Sequence, residues 1–243
     1  GQSPCTHDLL PAKIIETGKL LIGSKYEAST LEKPGEEQLV YCTDRFDCVT
    51  FVEYVLSKSI FQTQVIPTND SFEKILTGMR YRDGVIDGYG SRIHYFSEWL
   101  MHQQKHHTLK DITQESGGIH FEKDIHFMSA HKDKYPKLDS EAALNKIKDS
   151  ETLLNSRHKY YIPKQELMKS IHLIKDGDII AITTDIVGLD IVHTGFAVWV
   201  GAHLHLLHAS ETEGQVVISQ LPLYDYLMSK KRQTGIMVGR VRM

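Results

Sequence analysis

Cys48, His193 and His208 are the residues of this chain whose types and settings could do chemistry together. Cys48 lies in the run Arg45-Phe46-Asp47-Cys48-Val49-Thr50-Phe51-Val52-Glu53. An Asp directly before it suits a helix N-cap, and the apolar run behind it suits an amphipathic helix, so the thiol falls in a first helical turn. Unpaired backbone N–H groups and the helix dipole favour thiolate over thiol at such a place. His193 opens the strand-like run Val192-His193-Thr194-Gly195-Phe196-Ala197-Val198-Trp199-Val200, in which Gly195 permits close backbone approach. His208 ends the next such run, Leu206-Leu207-His208-Ala209-Ser210. Neighbouring strands would set the two imidazoles side by side, one as base and the other as its orienter. A thiol, a base and an orienter, with the Cys backbone N–H as an oxyanion donor, are the parts of a cysteine-nucleophile hydrolase.

Those parts need a helix start held against a sheet, and the remaining sequence divides accordingly. Apolar spacing predicts helices over 8–22, from Cys48 to about Ile60, over 71–82 and over 95–107. The polar stretch 108–160 is expected to hold one helix near 140–154, capped by Ser140, and Pro163 is expected to start a short helix through Ser170. After Asp176-Gly177-Asp178 the pattern changes to strands at 179–182, 194–200, 204–208, 216–219 and 236–241. Helices first and an antiparallel sheet afterwards define an α+β class.

The length of 243 residues suits one catalytic domain over 1–243, with a core at about 36–62 and 172–243 and a helical insert at about 63–171. A net charge of −3 gives no case for nucleic acid, and no run is apolar enough to span a bilayer. Gly1-Gln2-Ser3-Pro4 reads as a processed or an engineered start, and the expectation is that a signal peptide has been removed. Cys5 and Cys42 could pair in an oxidising compartment and leave Cys48 free; three reduced thiols are the alternative. His102 and His106 stand at helical spacing, but Gln103, Gln104 and Lys105 between them offer no Glu of the HExxH kind. No cysteine pair has zinc spacing, so neither metal nor other cofactor is expected.

The blocks FDCVTFVEYVL, DGDIIAI, HTGFAVWVG and LLHAS occur in this order. They resemble the NlpC-type papain-like cell-wall hydrolases, which carry Asp-Cys at a helix start, Gly-Asp before the first sheet strand, His-x-Gly on the next and His-Ala-Ser on the one after. The resemblance implies a papain-like α+β fold with Cys48 as nucleophile, His193 as base and His208 as orienter. Two departures stand out. The Cys48-to-His193 distance is long, and Tyr41 and Thr43-Asp44-Arg45 replace the aromatic-plus-glycine loop that usually precedes Asp-Cys. The block Ser91-Arg92-Ile93-His94-Tyr95-Phe96-Ser97-Glu98-Trp99 is most similar to the N-acetylmuramoyl-L-alanine amidase-like branch, which cuts between muramic acid and the first L-Ala of the stem peptide.

On that reading Arg92, His94, Tyr95 and Trp99 form a substrate wall, Arg92 for a carboxylate or lactyl oxygen and the aromatics for sugar or peptide faces. Their alternative is an amphipathic helix with its aromatics in the core. Tyr41 could reach the scissile carbonyl or be an ordinary buried Tyr. The implied partner is peptidoglycan or a muropeptide, and the implied setting is a periplasmic or secreted monomer. The competing functions are a D-glutamyl–diamino-acid endopeptidase of the same superfamily, a non-catalytic wall-binding module and a metal-dependent amidase.

Overall fold

The computed structural model describes residues 9–65 and 69–242. Cys5 lies outside them, and the expected pairing with Cys42 lies outside with it. The described chain is mixed α+β. Its helices are α1 (Leu9–Leu20), α2 (Cys48–Thr63), α3 (Phe72–Arg80), α4 (Phe96–Lys105), α5 (Phe127–Ala130), α6 (Glu141–Asn155), α7 (Leu167–Ser170) and α8 (Leu223–Met228). Its strands are β1 (Lys25–Tyr26), β2 (Arg45–Phe46), β3 (Leu109–Asp111), β4 (Ile119–His120), β5 (Tyr160–Pro163), β6 (Ile179–Thr184), β7 (Ile191–Val200), β8 (His203–Ser210), β9 (Gln215–Ile218) and β10 (Gln233–Val241). They form one sheet in the order β2-β1-β9-β8-β7-β6-β10-β5-β4, with β3 also on β10. Only the β1–β2 pair is parallel among the described strands.

The sheet is apolar on both faces, and the alternation of its central strands shows why. Ile179, Ala181, Phe196, Val198, Leu207 and Met237 join α1, α2 and α4 in one core. Ile180, Ile182, Ala197, Leu206, Ile236 and Val238 join Leu167 of α7 and Leu223 and Leu227 of α8 in another. Successive side chains point to opposite faces, so a strand buried on both reads as a continuous apolar run. Gly18 marks how closely α1 seats: a Cβ there would lie 2.6 Å from Leu207 Cδ2. A third cluster, including Tyr89, Tyr95, Ile125, Met128 and Ile147, fills the region between α4, α5 and α6.

The long helices and the five C-terminal strands stand close to the expected positions. One expectation is corrected. The stretch 108–160 carries β3, β4 and α5 besides α6, and β3 and β5 hydrogen-bond to β10, so the region read as a helical insert extends the sheet. Pro163 ends β5 and also caps a short helical stretch, a 3-10 turn at Lys164–Glu166 that runs into α7 and ends at Ser170 as expected; α8 stands where none was expected.

Candidate active site

Asp47 makes the start of α2. Its carboxylate accepts from the Thr50 backbone N–H at 2.8 Å, and Thr50 Oγ1 accepts from the Asp47 N–H at 3.0 Å, a reciprocal capping box. Cys48 is therefore the first helical residue. Its sulfur accepts from the Thr194 backbone N–H of β7, next to His193. Cys48 and His193 line one cavity of about 170 Å³.

His193 Nε2 and His208 Nδ1 are 2.6 Å apart, with the rings at 78°. Gly195 makes this approach possible. It stands opposite His208, where a Cβ would meet His208 Cβ and the Leu207 carbonyl oxygen at 2.8 Å each. With Nε2 engaged, Nδ1 is the His193 nitrogen able to exchange a proton at the cavity. That requires His193 to carry N–H at Nε2 and His208 to accept at Nδ1.

The electrostatics differ from the sequence expectation. The helix start and the backbone N–H groups of Thr194, Val49 and Cys48 do favour thiolate, but burial and the adjacent Asp47 carboxylate outweigh them and push the Cys48 thiol up to about 12. Burial, then His208 and Lys230, push His193 down to about 3. Burial and Lys230 push His208 down to about 4. The resting trio at neutral pH is thus a thiol and two neutral imidazoles.

The structure separates the other expected site residues. His94 and Tyr95 line the cavity with Cys48. His94 Nε2 lies 2.9 Å from the Tyr89 carbonyl oxygen, and burial holds its pKa well below the ordinary imidazole value, so Nε2 is the protonated nitrogen and donates there. The Tyr95 hydroxyl donates to Glu151 Oε1 at 2.8 Å and accepts from the Met128 N–H at 2.8 Å. Arg92 is buried and holds Glu32 and Glu37 at 2.8 and 2.9 Å. Its guanidinium is committed to those carboxylates, and the charge reaching the cavity wall is Glu32, whose buried Oε2 has no hydrogen-bond partner. Trp99 is a core residue, 1% exposed, stacked on Phe96 with its indole N–H on Glu53 Oε2 at 3.2 Å. The Tyr41 hydroxyl donates to Glu73 at 2.9 Å, and its ring packs on Phe72. Neither Trp99 nor Tyr41 lines the cavity with Cys48.

Sequence reasoning missed Tyr26, Glu32 and Asp190. Tyr26 pairs with Phe46 across β1–β2, and its phenol, pushed up to about 12 by burial and then by Cys48 and Asp47, stands within electrostatic reach of the thiol. Asp190 accepts from the Ser97 N–H at 2.9 Å, capping α4 from the start of β7 where Tyr95 offers no side-chain cap. None had a local motif to mark it. A second cavity of about 830 Å³, between residues 32–37 and α6, shares Glu32 and Tyr89 with the first.

With this fold and site in view, the comparisons place the chain. A match to the AmiA-like family, described as N-acetylmuramoyl-L-alanine amidase-like, spans residues 16–236, and the chain belongs to that family. It is 37% identical to an N-acetylmuramoyl-L-alanine amidase of Bacteroides uniformis ATCC 8492, with a TM-score of 0.90 over 96% of this chain and 99% of that one. A Bacteroides fragilis protein provisionally named a xylanase is also 37% identical, with a TM-score of 0.87 over 93% of this chain and 100% of that one. A Legionella pneumophila protein shares the fold at 24% identity and a TM-score of 0.73, over 96% of this chain and 89% of that one. No curated protein matches the chain.

Proposed function

We propose that the chain is a single-domain, papain-like cysteine amidase of the NlpC type that cleaves the bond between N-acetylmuramic acid and L-alanine in peptidoglycan or its fragments. Membership of the amidase-like family supports the hydrolase class. The observation that carries the cysteine mechanism is the Cys48–His193 cavity backed by the 2.6 Å contact to His208.

Cys48 Sγ attacks the lactyl carbonyl carbon as its proton passes to His193 Nδ1. The oxyanion accepts from the Cys48 backbone N–H at the start of α2. Imidazolium formation turns the His193–His208 contact into a charge-assisted hydrogen bond. His193 then returns the proton to the L-Ala nitrogen, the C–N bond breaks, and a muramoyl thioester remains. Neutral His193 takes a proton from water, whose oxygen displaces the sulfur and leaves a free lactyl carboxylate and the thiol. Glu32 Oε2 is an acceptor for a substrate N–H or O–H, and a ligand longer than the small cavity extends past Glu32 and Tyr89 into the larger one. Glycoside cleavage needs two carboxylates across one bond. Asp190 caps α4 instead, and Glu32 is held by Arg92. Peptidoglycan lies outside the cytoplasmic membrane, and among the described residues no helix is long and apolar enough to cross one, which fits a periplasmic or secreted enzyme.

Mass spectrometry of a defined disaccharide-tetrapeptide after incubation tests the bond assignment. Release of the whole stem peptide is expected. A shortened stem would instead assign the D-glutamyl endopeptidase activity.

A further inference from the structure

Three donors meet at the surface where α4 ends, apart from the catalytic cavity. His102 and His106 project from one face of the last turn with ring centroids 4.4 Å apart. Asp83 reaches them from the turn after α3, where it adopts a left-handed conformation (φ 53°) that Asp tolerates better than most residues. Asp83 Oδ1 lies 3.3 Å from His106 Nε2, and the Asp83 N–H donates to His102 Nε2 at 3.2 Å. One donor atom from each of the three residues falls within 4.8 Å of the others.

We propose that Asp83, His102 and His106 bind a borderline transition-metal dication of the zinc class, through the two imidazole nitrogens and one carboxylate oxygen, with water completing the shell. Two imidazoles and a carboxylate are a common ligand set for such ions, whereas calcium and magnesium require several more oxygens. Metal–donor bonds of about 2.0–2.2 Å need a modest contraction of the cluster. His106 and Asp83 are exposed and can supply it, while buried His102 stays as the fixed ligand. The groups that must yield are the 3.2 Å backbone contact to His102 Nε2, the Gln103 side-chain amide 3.3 Å from His102 Nδ1, and Lys105, whose ammonium lies 3.1 Å from Asp83 Oδ1. Lys105 and Asp83 are both exposed, and such ion pairs are weak in water. The ion would pin the C-terminus of α4 to the α3–α4 connection. Phe96, which lines the catalytic cavity, is at the other end of α4, so the ion acts on stability rather than on turnover.

The test uses the full chain carrying Cys48→Ser, which removes the active-site thiol as a competing ligand. Zinc binding is followed by calorimetry and thermal melting, and cobalt binding by visible absorption. One saturable equivalent that raises the Tm is expected. His106→Ala and Asp83→Asn, added singly, are each expected to weaken binding more than about tenfold and to remove the Tm increase, with unchanged circular dichroism. Binding that survives either substitution, or no saturable binding up to millimolar zinc, overturns the assignment.

Discussion

A second histidine in the proposed orienting position sets the protonation of the site. A carboxylate beside His193 would raise its basicity and favour a thiolate–imidazolium pair at rest. His208 adds no negative charge, so burial decides, and both rings stay neutral. On the proposed mechanism Cys48 loses its proton only as it attacks. Alkylation of Cys48 by iodoacetamide is expected to accelerate steadily from pH 6 to 9, because thiolate grows in toward its value of about 12. A fast rate, flat with pH over that range, would show a resting ion pair. His208→Ala is expected to lower kcat about a hundredfold or more with little change in KM, since it removes the support for imidazolium and leaves the cavity wall intact.

At the scale of elements, α2 is held by a buried ion pair. Glu53 and Arg80 meet at 3.0 Å with both side chains 2% exposed, and Trp99 adds its indole N–H. Arg80→Leu leaves the Glu53 charge buried and is expected to cost about 3–5 kcal/mol in chemical denaturation. A loss below about 1 kcal/mol would show that the pair is not the clamp between α2 and α3. Asp190→Ala removes the cap that ties α4 to β7, with an expected cost of about 1 kcal/mol by the same measurement. The parts legible in the sequence were those with a local cause. Asp47 followed by an apolar run marks α2, and doubly apolar runs mark β6 to β8. Strands of two to four residues such as β1, β4 and β5 carry too little pattern to see. Arg92 looked available because its partners Glu32 and Glu37 lie 60 and 55 residues upstream. Trp99 looked like a wall residue because one sequence cannot tell which face of α4 meets the core.

Taken as a whole, the molecule folds two sides of one sheet against separate helix sets, and the proposed site chemistry depends on keeping imidazoles out of water. His94, His193 and His208 all have folded values below the ordinary 6.5. Below pH 6.5 the unfolded chain binds protons that the folded chain refuses, so stability is lost as pH falls toward about 4. Buried Glu53 and Asp190 are shifted upward by burial and act in the opposite sense. Thermal melts are expected to show Tm falling between pH 6.5 and 4.5; a constant Tm would contradict neutral burial of these rings.

Cys48 is proposed as the nucleophile of an amidase. Its most direct test is kcat/KM on one defined muropeptide for the parent and for Cys48→Ser, with release of intact stem peptide as the readout. Release by the parent and a loss of at least about a thousandfold in the variant are expected, with the fold unchanged. Stem release by Cys48→Ser within about tenfold of the parent rate would contradict it.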